Sequence, residues 1–174
     1  MTNREKKIFN IAREVASFSD FKGPHIGAVV VVGKTIISTG YNSYKTRPLQ
    51  HQYNIYRRFE NYKNSIPSQH AEMGALSHLI GKEIDWKKVS IFTYRELKNG
   101  EPACSRPCIA CMTLIKDLGI KNIYFIDDLN SIDYSEIDKF ISEKYDNFYN
   151  TNLKDKYDEL IKILNESKGD NIER

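Results

Sequence analysis

Apolar residues recur at helical spacing over residues 3–18, where Ile8, Ile11, Ala12, Val15 and Ala16 share one face. That pattern predicts an amphipathic first helix. Two β-branched runs follow, Ile26–Val32 and Thr35–Thr39, separated by Gly33-Lys34. A short glycine-containing break between such runs signals a hairpin. Gly40-Tyr41-Asn42 closes its second strand. Residues 69–80 read as a helix, with Ser68 placed to cap its start and Gly81 to stop it. Val89–Tyr94 predicts a third strand. Pro107 suits the first turn of a helix that reaches Leu118 and ends at Gly119. Ile120–Ile126 predicts a fourth strand, nearly all apolar and therefore buried on both faces.

Ile137, Phe140, Ile141 and Tyr145 predict a further helix, and Tyr157, Leu160, Ile161 and Leu164 another, before a polar tail expected to fray. Strands alternating with helices in this order imply an α/β fold, with crossover units and a mixed sheet covered by helices. No repeat, low-complexity tract or linker interrupts the chain. The reading is a single domain over residues 1–174, with a helical C-terminal extension from about residue 132.

Composition narrows the class. A chain of 174 residues is the size of one domain able to bury roughly 70% of its unfolded surface. A net charge of +3 and a pI of about 8.6 are too mild to imply nucleic-acid binding on their own. The longest apolar run, Ile26–Val32, is far short of the ~20 residues that cross a bilayer, so no membrane partner is expected. The first residues, Met1-Thr2-Asn3-Arg4-Glu5-Lys6-Lys7, lead into no apolar signal-peptide core. Three cysteines, two of them paired as C-x-x-C, favour metal ligation in a reducing compartment over a disulfide framework. A soluble cytoplasmic protein is expected.

The candidate chemistry lies in His70-Ala71-Glu72 and Pro107-Cys108-Ile109-Ala110-Cys111. His70, Cys108 and Cys111 make a set of first ligands for Zn2+, and Glu72 is a carboxylate beside the metal. Three protein ligands leave the fourth tetrahedral position open to water, as in catalytic sites; structural sites are closed by a fourth ligand. The i, i+3 spacing of the cysteines brings both sulfurs to one side of a helix, and a helix N-terminus favours the thiolate, most of all at Cys108. His70 and Glu72 are two apart, which in a regular helix would point them to roughly opposite sides. Both can face one ion only if the helix end lies over it. A rival arrangement is a closed structural zinc in which Cys104 is the fourth ligand, although Glu72 would then be idle. His25, His51 and His78 have no metal-like partner nearby in sequence.

The motifs Gly40-Tyr41-Asn42, His70-Ala71-Glu72 and Pro107-Cys108-Ile109-Ala110-Cys111, followed by Leu114-Ile115, occur in an order that resembles the cytidine/deoxycytidylate deaminase superfamily. Within it the chain is similar to the branch of deoxycytidylate and tRNA-type deaminases, over about residues 25–127. It lacks the longer Asn-rich segment that small tetrameric nucleoside deaminases carry before the His motif. The resemblance implies a three-layer α/β/α fold with a central mixed sheet flanked by helices, a Zn2+ cofactor and a homo-oligomer. It implies that Glu72 takes a proton from the attacking water, passes it to the ring and serves the departing amine. It further implies that Asn42 bonds the sugar and ring edge, and that the backbone around Ala71 and Cys108 holds the base. Asn42 also reads simply as a turn-forming residue after a strand.

The implied reaction is zinc-dependent hydrolytic deamination of a cytosine nucleotide or nucleoside, with dCMP to dUMP foremost. Two alternatives accompany it: a deaminase acting on bases of single-stranded DNA or tRNA, and a catalytically silent zinc-stabilised module. Two stretches depart from the family. Residues 95–106 form a longer link into the Pro-Cys motif. Residues 43–67 interleave Tyr44, Lys45, Arg47, Tyr53, Tyr56, Arg57, Arg58, Phe59, Tyr62 and Lys63 with one acidic residue, Glu60. That stretch reads as a lid or insertion in which Tyr53, Tyr56 and Phe59 pack inward and Arg57 and Arg58 face solvent, or as a track for a single strand. Lys45 and Arg47 are its candidates for a substrate 5′-phosphate.

Overall fold

The computed structural model describes residues 1–60 and 68–126, all within one compact unit that spans Met1–Tyr134. The helices expected around 137–145 and 157–164, the extension from about residue 132, and residues 61–67 of the 43–67 stretch lie outside the described residues.

The first helix, α1 (Asn3–Ala16), begins with a capping box: Glu5 N–H donates to the Thr2 hydroxyl, and Thr2 N–H donates to the Glu5 carboxylate. Its buried stripe is Ile8, Phe9, Ala12, Val15 and Ala16. After it come β1 (His25–Val32) and β2 (Thr35–Tyr41), an antiparallel hairpin whose turn places Gly33 at φ +57°. A short α2 (Pro48–Tyr53) runs into a 3-10 segment, Asn54–Glu60. Then follow α3 (Ala71–Ser77), β3 (Val89–Glu96), the two-residue β4 (Pro102–Ala103), α4 (Ile109–Asp117) and β5 (Asn122–Phe125).

The sheet is mixed. β1 pairs antiparallel with β2 on one side and with β3 on the other, and β3 carries β5 parallel and β4 antiparallel along its far edge. Strand alternation divides the core in two. Val29, Val31, Phe92 and Tyr94 pack with Ile8, Phe9, Ala12 and Ala16 of α1, and Phe9 meets Phe92 edge-on at 5.4 Å. Fully burying an aliphatic or aromatic side chain of this size stabilises by about 1.5–3 kcal/mol, so this stripe fixes α1 to its face. The opposite face takes α3, where the Ser38 hydroxyl donates to the Ala75 carbonyl at 2.7 Å. Gly40 allows that contact: a Cβ there would stand 2.4 Å from the Ala71 carbonyl oxygen and 2.3 Å from the Ala75 nitrogen. The result is the three-layer α/β/α architecture with a mixed sheet between helices.

Several boundaries differ from the sequence reading. The helix expected over 69–80 is only Ala71–Ser77, capped by His70 and not by Ser68. Gln69 is held extended because it pairs with Ser43, each amide donating to the other's carbonyl. Gly81 still ends the following turns, at φ +86°. Cys108 is the N-cap of α4, so it and Pro107 precede the first turn that was expected to contain them. β5 is shorter than Ile120–Ile126, because Ile120 N–H bonds back to the Ile115 carbonyl beyond Gly119 at φ +81° and so closes α4. Its burial is also incomplete: Ile123 and Phe125 are buried, Asn122 is exposed, and Tyr124 is half-buried, stacked on Phe92.

Candidate active site

Two helix starts deliver the chemistry. His70 caps α3 with extended backbone (φ −84°, ψ 152°), and Cys108 caps α4 in the same way (φ −70°, ψ 168°). Neither residue is inside its helix, which resolves the spacing problem of His70 and Glu72: the two-residue offset is not helical, and the α3 start lies over the cluster. The His70 Nδ1 atom lies 3.3 Å from Cys108 Sγ and 3.4 Å from Cys111 Sγ. The ligand atoms of the three residues all fall within 4.8 Å of one another.

These distances suit zinc. A tetrahedral ion with bonds of about 2.05 Å to nitrogen and 2.3 Å to sulfur separates the two donors by roughly 3.5 Å. One imidazole and two sulfurs are the borderline-soft donor set that Zn2+ prefers, so the residues present fit the ion. Cys104 is exposed and lies outside the group of three, so the arrangement in which it closes the site is not the one formed.

Charge and burial tune the cluster. A hydrogen bond from Cys111 holds the Cys108 thiol well below its ordinary value, against the effect of burial and with help from His70. Burial pushes Cys111 well above, and the neighbouring Cys108 sulfur adds to this. Burial pulls the His70 imidazole down, but its contact with Cys108 and the charges of Cys108 and Glu72 outweigh that and raise it. Burial likewise raises the Glu72 carboxyl, opposed by His70 and reinforced by Cys108. A carboxyl raised in this way is suited to accept and return protons near neutral pH.

Gln50 is a site residue that the sequence reading missed. It is fully buried on α2, its Oε1 accepts the His70 N–H at 2.9 Å, and its Nε2 donates to Asn54 Oδ1 at 2.7 Å. A glutamine amid polar residues carries no pattern that would single it out. Arg57 also departs from expectation. It is half-buried with its Nε inaccessible, and its charge acts on His70, so it is only partly turned to solvent. The 3-10 segment that carries it packs on α4. Tyr53 is half-buried, its hydroxyl donating to Asp117 of α4 at 3.0 Å.

The other expected site residues are placed as follows. Ala71 is fully buried at the start of α3. Asn42 is buried, its Oδ1 accepting the Ile26 N–H at 2.8 Å and its Nδ2 donating to the Pro24 carbonyl at 3.0 Å. Lys45 and Arg47 line a cavity of about 250 Å³ with Tyr41, Gln69, Gly74 and His78. None of the metal-site residues is in its wall, and Arg47 donates to the Ser77 hydroxyl at 3.2 Å. His25 bonds the Phe21 carbonyl, and His51 is exposed.

Comparisons with known proteins bear on the fold and the family. Among solved structures, the apo dCMP deaminase of cyanophage S-TIM5 is similar with a TM-score of 0.51 and 18% identity, over 81% of this chain and 94% of that one. The same enzyme in complex with dCMP and dUMP gives 0.52 at equal identity and coverage. The cytidine deaminase of Burkholderia pseudomallei gives 0.50 with 14% identity, over 79% of this chain and 96% of that one. At such identities the likeness is one of fold. Curated protein sequences yield no significant match. The profile of the cytidine and deoxycytidylate deaminase zinc-binding region matches residues 2–127, both ligand motifs included. With most of its length under that profile, the chain belongs to the cytidine and deoxycytidylate deaminase family.

Proposed function

We propose that this protein hydrolytically deaminates a cytosine nucleotide or nucleoside, converting dCMP to dUMP with release of ammonia. The observation that carries the reading is a buried Glu72, its carboxyl raised by burial, set against the converged donors of His70, Cys108 and Cys111. Zinc, when bound there, supplies a Lewis acid that makes water a nucleophile near neutral pH. Glu72 moves the protons: it takes one from the attacking water, gives it to the ring nitrogen N3, and serves the departing amine. The Ala71 backbone at the start of α3 holds the base, and Asn42, bonded to Ile26 and Pro24, shapes the sugar subsite by fixing the start of β1. The cyanophage enzyme, crystallised with dCMP and dUMP, supports a monophosphate as substrate.

Incubating the zinc-loaded protein with dCMP, dCTP, deoxycytidine and cytidine, and following the uracil product, tests the reading. Conversion of dCMP is expected, and failure to convert any of the four defeats it. A second reading, deamination of a base in a single strand, is favoured by the position of Arg57 and the Tyr53–Tyr56 ring pair beside α4, with centroids 5.9 Å apart. It requires single-strand binding that weakens steeply with salt.

A further inference from the structure

We propose that Arg95 recognises the 5′-phosphate of the substrate and so sets a preference for nucleotide over nucleoside; this rests on the deaminase reading above. Arg95 lies at the carboxyl end of β3. Its neighbours Tyr94 and Glu96 face α1, where Tyr94 joins the core and Glu96 Oε2 accepts from Arg13 Nε at 3.0 Å. Alternation therefore turns Arg95, with Thr93, toward the face that carries α3. In register beside it are Ile26 of β1 and Ala103 of β4. The Ile26 N–H is held by Asn42, so Asn42, Ile26, Arg95 and Ala103 form one row across the sheet.

Both ends of that row lead into the arms that hold the metal ligands. On one side Ser43 pairs with Gln69, next to His70. On the other, Ser105 is clamped to Thr93 by two hydrogen bonds of 2.7 and 2.8 Å, three residues before Cys108. Arg95 is thus set on the strand row between the two arms, at the carboxyl end of the parallel β3–β5 pair, where α/β crevices take ligands. Asn42 and Arg95 are two strands apart, about 10 Å between Cα atoms, and the reach of an arginine brings its head group close to a nucleotide whose sugar lies beside Asn42.

The second observation is an unmet donor. Arg95 is half-buried, and its Nε–H is inaccessible with no hydrogen-bond partner among the described residues. A buried guanidinium donor without an acceptor is costly and needs a partner. The Nε edge lies inside the fold, so a phosphate dianion meets the guanidinium through its outer Nη nitrogens, which present a planar, bidentate edge. Lys45 and Arg47, the cations named from sequence, line a cavity whose wall does not include Arg95, and they compete with it for this role.

The test compares dCMP with deoxycytidine in wild type, Arg95→Met, Arg95→Lys and Arg47→Ala, with zinc content and Tm measured on each. Arg95→Met is expected to lower kcat/KM for dCMP by about 100-fold, mainly through KM, as loss of a desolvated charge pair does. Deoxycytidine turnover should change less than about 3-fold, and Arg95→Lys should recover part of the loss, since it keeps charge without the fork. Equal losses on both substrates, or a dCMP-selective loss in Arg47→Ala and none in Arg95→Met, would overturn the assignment while leaving the deaminase reading intact. A wild type that converts neither substrate defeats the deaminase reading itself. Should Arg95→Met not fold, the wild-type Arg95 Nε–H resonance, assigned with Arg95→Lys, must shift with dUMP and stay with deoxyuridine. A resonance indifferent to dUMP rejects the proposal.

Discussion

Gln50 and Glu72 show how single side chains set this site. Gln50 has no solvent contact and accepts the His70 amide proton, so it fixes the backbone from which the imidazole projects. Gln50→Leu keeps the volume but leaves that N–H buried and unmet, at about 1–3 kcal/mol. The expected result is a lower Tm and weaker zinc retention against a competing chelator, and zinc affinity equal to wild type would show that Gln50 does not position His70. Glu72→Gln is expected to reduce turnover by about 100- to 10,000-fold while zinc content stays near wild type. It also has a stability signature. Burial raises the folded-state pKa of Glu72 above its unfolded value, so the folded state holds an extra proton between those two values. The associated stability is present below the unfolded pKa and is lost as pH rises through the folded one. Metal-free Glu72→Gln should therefore be more stable than metal-free wild type at neutral pH, and the gap should close on acidification. Thermal melts across pH check the sign.

At the scale of elements, the decisive contact is α3 on the hairpin. Ser38 and Gly40 of β2 present almost no side chain to α3, and so its backbone comes close enough to hang His70 over the cluster. Gly40→Ala puts a methyl group against the Ala71 and Ala75 backbone, neither of which can rotate away. Overpacking of this kind costs about 1–3 kcal/mol, and here it displaces the start of α3. Zinc stoichiometry below one per chain, with a lowered Tm, is the expected outcome; full zinc loading would show that α3 shifts without carrying His70. The elements themselves were legible where the pattern was local. Helical spacing in α1, the β-branched runs of β1 and β2, and the glycines that end α3 and α4 all fell where the sequence placed them, to within a few residues. The errors arose where elements end. Residue 69 belongs to a bridge with Ser43 that no local window contains, whereas Ile120 belongs to the α4 terminus through a bond to Ile115 that the apolar run around it obscured.

Across the whole molecule, the metal site couples two separate helix starts. His70 arrives from α3 and the two cysteines from the β3–α4–β5 crossover, so an ion held between them ties together segments some forty residues apart in sequence. Zinc at a thousand times its Kd stabilises by about 4 kcal/mol, or roughly 10 °C in Tm for a chain of this size. Chelation should lower Tm by that order and zinc should restore it; an unchanged Tm would mean that the ion is not part of the folded state.

By itself, the sequence singled out the atoms that converge, one imidazole and two sulfurs, with a carboxyl beside them. Side-chain chemistry is a local property, so it can be read from residue type and spacing. Only the tertiary structure decided where those atoms point. His70 leaves the helix because Ser43 holds its neighbour, Gln50 fixes its amide, Arg57 is half-buried, and Asn42 spends its amide on the start of β1. Each depends on pairing between distant segments, and such pairing is set by packing of the whole core.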